Sequence, residues 1–465
     1  MAMEKQMKTV ILYPSLGVGH LNPMVELGKV FLRRGVAVII AVVDSPDAMV
    51  RLATANPDIT FRHLPVPPTG KDKYSHPIMR TIDVLRVANP ALRSFLRTLP
   101  AIDAVVVDMF CTDALDVAAE LDIPAYFFFT SPLGHLAVNL HLPYNFPAVS
   151  LKDMPETVLR FPGVPPIRAM DMVTTVQDRE SDIARARLHQ CARMPEARGF
   201  LVNSFDWLEA RALKALRCGL CTPGRSTPPA VYCIGPLVPP GNTGGSRERH
   251  ACLEWLDTQP NRSVVLLSFG SMGIFSEPQL REMARGLESS GHRFLWVVRN
   301  PPEHQSKSIE PDLGALLPDG FLERTREKGL VVKNWAPQME VLRHDAVGAF
   351  ITHCGWNSAL EGIVSGVPMI CWPLYAEQRM NKVHMVEEMK VGVAVQGYEK
   401  ELVEADEVEA KVRLVMESDE GKKLRERLAM SKKMAADALK EGGSSYMAFD
   451  EFLEGLKKTS PEVKA

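Results

Sequence analysis

Apolar and polar positions along this chain come in blocks instead of alternating. In the first half the unbroken apolar runs are "TVILYP", "AVIIAVV", "DAVVVD", "PAYFFF", "GFLVNS" and "AVYCIG"; in the second they are "SVVLLSF", "FLWVV", "GLVVKN", "GAFITH", "PMICW" and "VGVAV". Successive apolar residues predict strands covered on both faces, hence parallel sheets, and the helix-like stretches between them predict an α/β architecture. Between the halves lies "GPLVPPGNTGGSRERHAC", rich in Pro, Gly and Ser, which reads as an interdomain linker. The expectation is two doubly wound, Rossmann-like domains facing a central cleft at the carboxyl ends of their strands. Near the end of the chain, Phe449, Phe452, Leu453 and Leu456 fall on one stripe of a last helix that needs a surface to pack on. Pro143–Arg168 and Asn300–Pro318 read as long loops, of the kind that form lids or specificity loops.

At 465 residues the chain exceeds one core and fits two domains. Lys and Arg number 54 against 56 Asp and Glu, a net charge of −2, so no basic field drives nucleic-acid binding. The first apolar run reaches Pro14 and Gly17 too soon for a signal peptide, and no run approaches a membrane span, which predicts a cytoplasmic protein. The eight cysteines are scattered and read as reduced thiols. Cys218 and Cys221 form a C-x-x-C with no second pair, so a zinc site is not expected.

Candidate chemistry begins with "YPSLGVGHLNPMVELGK", a strand, a Gly-containing turn and a helix opening near His20 with Pro23 early in it. It resembles a dinucleotide fingerprint but carries Asn22 where a third glycine is due, and the Gly-Lys-Ser/Thr of a phosphate loop does not occur. A nicotinamide-dependent oxidoreductase is therefore the remoter alternative. His20 stands where a positive helix end disfavours the imidazolium, which suits a general base; a capping or packed histidine is the equal alternative. In "DAVVVDMFCTDALDVAAEL" three carboxylates, Asp108, Asp113 and Asp116, could orient that ring or simply complement a helix dipole. The residues alone do not choose among them.

The second half is richer. "SVVLLSFGSMGIFSEPQL" runs from strand through Gly270 and Ser271, where backbone N–H groups could approach an anion, into a helix with Ser276 and Gln279 spaced as a capping box. Trp335 follows another strand, as a stacking platform or as core cover. In "FITHCGWNSALEG" the residues Gly355, Trp356, Asn357 and Ser358 supply a helix amino end suited to a phosphate, with His353 beside it and Glu361 one turn along, placed for ribose hydroxyls. Tyr375, Glu377 and Gln378 close another strand, and a carboxylate beside an amide is a pair that grips hexose hydroxyls.

From Trp335 to Gln378 the 44 residues "WAPQMEVLRHDAVGAFITHCGWNSALEGIVSGVPMICWPLYAEQ" resemble, nearly position for position, the donor-binding box of plant secondary-product UDP-glycosyltransferases. The resemblance extends over essentially the whole chain and is nearest to the enzymes of flavonoids, chalcones and hydroquinone-type phenols. It implies a GT-B fold: an acceptor-binding domain over 1–240 joined by the last helix at about 441–457, a linker over 241–250, and a donor-binding domain over 251–440.

Carried over residue by residue, the resemblance implies that Trp335 stacks on uracil and the Ala336 backbone pairs with it, while Gln338 and Glu361 hold the ribose. His353, Asn357 and Ser358, with Ser271, would hold the diphosphate, and Trp356, Glu377 and Gln378 would face the sugar; Gly270, Gly355 and Tyr375 belong to the same donor-binding set. His20 matches the catalytic base and Asp116 its supporting acid. Gln378 at the end of the box points to UDP-glucose as co-substrate, and Trp356 stands where glucuronosyl enzymes of related branches carry Arg. With no Asp-x-Asp in the chain, no metal and no further cofactor are expected. The acceptor pocket is assigned to Phe110, Phe129, Leu133 and Phe146, beside the Phe127–Phe129 run and a Pro-rich loop. The expected reaction is inverting transfer of glucose to a phenol by a monomer without nucleic-acid or membrane partners; the same base would also serve attack from a ring carbon, giving a C-glucoside.

Overall fold

The structure, a computed structural model, describes residues 8–43, 46–67, 74, 76–239, 249–302 and 310–457. The chain divides into two compact units, Met1–Val238 with Asp437–Ala465, and Pro239–Ala436. Positions 241–248 of the expected linker and 303–309 of the second expected loop lie outside the described residues.

Strands of the first unit are β1 Thr9–Tyr13, β2 Ala37–Val42, β3 Thr60–His63, β4 Ala104–Asp108, β5 Ala125–Phe129, a short β6 Val158–Leu159 and β7 Ile167–Arg168, then β8 Gly199–Val202 and β9 Ala230–Cys233. Seven of them make one sheet in the order β3-β2-β1-β4-β5-β8-β9, parallel throughout. The second unit has β10 Val264–Ser268, β11 Arg293–Val298, β12 Gly329–Lys333, β13 Val347–Thr352, β14 Met369–Cys371 and β15 Gly392–Ala394, in the parallel order β12-β11-β10-β13-β14-β15. Central strands are sealed on both faces: every side chain of Val10–Tyr13 and of Val264–Leu267 is 0% exposed. Helices on either side of each sheet make that possible, and a parallel sheet requires it. In each unit the chain order reverses once, between β1 and β4 and between β10 and β13, and at such a reversal the connections diverge and leave a crevice above the carboxyl ends.

Some local expectations change. The first helix spans Val18–Arg33, starting before His20, so Pro23 lies inside it and not in its first turn. Gly17, at φ 90°, makes the turn that a Cβ would strain. Pro143–Arg168 is not one open loop; it contains a 3-10 turn at Leu151–Asp153 and the antiparallel β6–β7 pair. Ser276 precedes the Glu277–Ser290 helix without a side-chain cap bond, and no capping box forms. Gln279 instead brackets Val403, donating to its C=O and accepting from its N–H, both at 2.8 Å. All eight cysteines are unpaired, and no helix among the described residues is long and apolar enough to cross a membrane.

The last helix, Ser444–Lys457, belongs to the first unit. Its apolar stripe, Phe449, Phe452 and Leu456, joins the core formed by β1, β2 and the Val18–Arg33 helix. Phe452 stands edge-on to Tyr126 at 4.9 Å, Tyr232 at 5.6 Å and Phe31 at 5.9 Å. Ser444 donates to Asp206 and Ser445 to the Gly235 carbonyl, fixing the helix start. Phe452→Ala should therefore cost about 3–5 kcal/mol of unfolding free energy, as for a large side chain removed from a sealed core. Urea unfolding followed by tryptophan fluorescence and circular dichroism checks this; an unshifted transition would mean that the helix is not docked where these contacts put it.

Candidate active site

In the first unit the carboxyl ends of β1 and β4 bring two groups together. His20 sits in the first turn of the helix that follows β1, its N–H on the Gly17 carbonyl. Asp108 is the last residue of β4, wholly buried, and its Oδ2 lies 2.8 Å from His20 Nδ1. Oδ1 accepts the N–H of Phe110 at 3.0 Å, so both carboxylate oxygens are engaged and the group cannot swing away. With the Nδ1 proton held by the carboxylate, the lone pair is on Nε2, the form a general base needs. The imidazole keeps 26% of its surface open. Phe110 stands edge-on to it with ring centroids 5.3 Å apart.

Asp116 does not take this part. It lies on the outer face of the Ala114–Glu120 helix, 66% exposed, and pairs with Arg193 at 2.5 Å. Helix geometry explains the correction: Leu115, Val117 and Ala118 are buried, which turns Asp116 outward. Asp113 also meets Arg193, at 3.4 Å. A signal for Asp108 was present in the pattern, since a carboxylate closing an otherwise apolar strand beside β1 is expensive unless it is used.

The proposed acceptor wall is thinned by the same reading. Phe129 and Leu133 have no exposed surface, and neither have Phe127 and Phe128; Phe127 stacks on Phe200. These residues are core. Phe146 is partly exposed under the Arg179 guanidinium, and of the four assigned residues Phe110 is the one beside the dyad.

In the second unit, the exits of β10, β12, β13 and β14 carry the predicted residues at the carboxyl edge of the parallel sheet. After β10, Gly270 turns at φ 72°, and a Cβ there would come within 2.5 Å of His353 Nε2; a Cβ at Gly355 would come within 2.4 Å of the same atom. Both positions must be glycine to admit the ring between them. Burial, with the nearby charge of Arg299, lowers the His353 pKa to about 4, so this imidazole is neutral at ordinary pH and offers hydrogen bonds without charge. Cys354 takes φ 66° and Gly355 starts the Trp356–Ser365 helix with no side-chain cap, which leaves the role of first-turn partner to a ligand. Asn357 is half-buried, and Ser271 is exposed on the facing loop.

A polar chain runs beneath this edge. Ser268 donates to Gln338 Oε1 at 2.7 Å, and Gln338 Nε2 donates to Ser358 at 2.9 Å and to Glu361 at 2.6 Å. Burial raises the Glu361 pKa, while the Gln338 bond opposes that rise. Ser268, the last residue of β10 and absent from the sequence-predicted site, thus fixes the amide that orients Glu361. Trp335 is 61% exposed, a large indole held out at the edge and not core cover. Its turn is made by Asn334 at φ 61°, with the His250 ring edge-on at 5.7 Å. Ala336, next along, is buried.

Two residues assigned to the sugar lie deeper than that role implies. Trp356 is 2% exposed, so its main chain, not its indole, is what it can present. Gln378 is 3% exposed, and its Oε1 accepts the N–H groups of Leu374 and Tyr375 at 2.9 and 3.0 Å, which shapes the loop before it. Tyr375 and Glu377 remain half-buried on that loop, and Asn381 bridges from Glu377 to the Cys354 carbonyl. Among the described residues no group of three or more His, Cys, Asp or Glu is placed to hold a metal ion.

Residues 241–432 match the family model described as "UDP-glucoronosyl and UDP-glucosyl transferase". Over 458 residues the chain is 43% identical to an anthocyanidin 5,3-O-glucosyltransferase of a Rosa hybrid cultivar, covering 94% of this chain and 96% of that protein. It is 41% identical over 479 residues to a phloretin 2'-O-glucosyltransferase of Pyrus communis, covering 96% and 99%. Apo UGT2 of Phytolacca americana superimposes with a TM-score of 0.88 at 37% identity, covering 97% of this chain and 100% of that one. The same enzyme complexed with UDP-2fluoro-glucose and pterostilbene superimposes at 0.85. The two parallel α/β units are thus those of the GT-B fold, and the chain belongs to the plant secondary-product UDP-glycosyltransferases.

Proposed function

We propose that this enzyme transfers glucose from UDP-glucose to a hydroxyl of a phenolic acceptor with inversion at the anomeric carbon. The observation that carries this reading is the His20–Asp108 pair, an imidazole held by a sealed carboxylate at 2.8 Å while part of its ring stays open. His20 Nε2 takes the acceptor's proton as the acceptor oxygen forms its bond to the anomeric carbon. The bond from that carbon to the diphosphate breaks on the opposite face, and UDP leaves with the electron pair. An α-linked donor so gives a β-glucoside. Asp108 supports the imidazolium that forms, because its charge is already fixed and desolvated beside Nδ1.

The donor assignment draws on the exposed Trp335 for uracil, the Gln338–Glu361 pair for the ribose, and the uncapped helix start at Gly355 with neutral His353 for the diphosphate. A phenolic acceptor is supported by the relatives, whose names state anthocyanidin and phloretin, and by the pterostilbene in the Phytolacca complex. Phe110 beside His20 offers an aromatic edge to such a ring. We assign acceptor binding to the first unit and donor binding to the second.

His20→Ala should lower kcat with a phenolic acceptor by roughly 10²–10⁴-fold, the usual worth of a general base, while UDP still binds. Retained turnover would remove His20 from the mechanism. Comparing two aspartates is sharper. Asp108→Asn should lose about tenfold or more, as the tautomer and the imidazolium lose their support, whereas Asp116→Asn on the outer helix face should stay within about twofold of wild type. Equal losses, or the reverse order, would overturn the dyad as drawn. Mass fragmentation of the product reads the bond type, because loss of a whole hexose marks an O-glucoside and cross-ring losses a C-glucoside.

A further inference from the structure

Arg299 follows β11 directly and stands at the carboxyl edge of the second unit's sheet, one strand from the β10 exit. Its Nε donates to the Asn334 carbonyl at 3.0 Å. Its Nη1 is enclosed and has no hydrogen-bond partner. Among the described residues, no carboxylate lies within ion-pair distance of it. Of the other arginines of this unit, Arg281, Arg285, Arg324 and Arg413 each pair with a glutamate, while Arg293 donates to Gln259 and Arg425 to the Val415 carbonyl. A half-buried guanidinium without a counter-ion is costly, and burial pushes its pKa down. Such a charge persists at a site that receives an anion.

Two neighbours show where that anion would lie. Burial first and then the Arg299 charge keep His353 neutral, and at Tyr375, whose pKa burial raises, the same charge opposes the rise. His353 stands between Gly270 and Gly355, and its Nδ1 is likewise buried without a partner. An unpartnered guanidinium nitrogen and an unpartnered imidazole nitrogen thus share the edge where the Trp356–Ser365 helix begins. Because His353 is neutral, it cannot balance a diphosphate's charge; a helix end supplies only a fraction of a charge.

We propose that Arg299 binds the donor diphosphate and is the permanent positive charge that stabilises UDP as it leaves. This rests on the reading of this edge as the UDP-sugar site. On binding, the guanidinium fork would give the now enclosed Nη1 its missing partner among the phosphate oxygens, while Nε keeps the Asn334 turn in place.

Ligand-observed NMR titration of wild type, Arg299→Met and Arg299→Lys with UDP and with uridine tests it, with thermal unfolding run beside each. Arg299→Met should weaken UDP by about 10–100-fold, the worth of charged hydrogen bonds, and leave uridine within about twofold. Arg299→Lys should recover part of the UDP affinity, since it keeps the charge but not the fork. Parallel loss of UDP and uridine would mean that Arg299 acts only through the Asn334–Trp335 turn, and the proposal falls. Unchanged UDP binding in Arg299→Met would also overturn it. If Arg299→Met does not fold, Arg299→Lys decides alone: a preference for UDP over uridine that stays near wild type supports the charge, and a preference lost as fully as expected for Met refutes it. A wild-type protein that binds no UDP would defeat the donor reading itself, a result distinct from the others.

Discussion

Everything chemical in this chain depends on parallel strands leaving a sheet at its carboxyl edge where the strand order reverses. A parallel sheet must be covered on both faces, so its flanks cannot host a site; its edge can. At β1 and β4 the connections diverge, and His20, in the helix turn after β1, meets Asp108, which ends β4. At β10 and β13 the same divergence opens space above Ser268 and Thr352, which are register partners. Into that space the chain sends two glycines and a histidine. The crevice is thus a consequence of strand order, and the sequence decides only what fills it.

What fills it in the second unit is arranged to be electrically incomplete. The imidazole is neutral, the helix start is uncapped, the guanidinium has no carboxylate, and Glu361, the nearest acid of the set, is occupied by Gln338. Each of these groups alone is a small cost to stability. Together the first three are one cation and a set of neutral donors without their anion. Sealed cores around them, including Trp296 and Phe350 at 0 and 0% exposure, hold the geometry that lets those costs persist.

Most of the fold could be read before any coordinates, and the exceptions have causes. All twelve apolar runs are strands. β3, "TFRH", escaped because it is an edge strand whose positions are alternately exposed and half-buried, so it carries no continuous apolar run. The edge assigned to the donor was legible because most of its residues lie within one 44-residue stretch that resembles a known donor-binding box. Burial was less legible: Trp356 and Gln378 look identical in sequence whether they point at a ligand or into the loop that frames it. Arg299 was invisible for a different reason. A strand-ending arginine is ordinary, and what sets this one apart is an enclosed Nη1 without a hydrogen-bond partner; a missing partner leaves no mark in a sequence.

The aspartate of the first unit shows how these limits arise. Asp108, Asp113 and Asp116 all fall within nine residues, at spacings that suit a helix start as well as a histidine partner. A family pattern placed the role on Asp116, by its distance from the strand. Yet the strand-end position was physically the stronger candidate. A carboxylate at a helix's third position can turn to solvent and serve the dipole, and Asp116 does so, with Arg193 for company. Asp108 has no such exit, for it follows four buried residues and is itself buried. A charge placed there folds only if a donor meets it, and Nδ1 of His20 together with the Phe110 amide supply the donors. The requirement that satisfies the fold therefore also sets the tautomer of His20, and the catalytic role proposed for the ring comes from the same two hydrogen bonds that make the strand end tolerable.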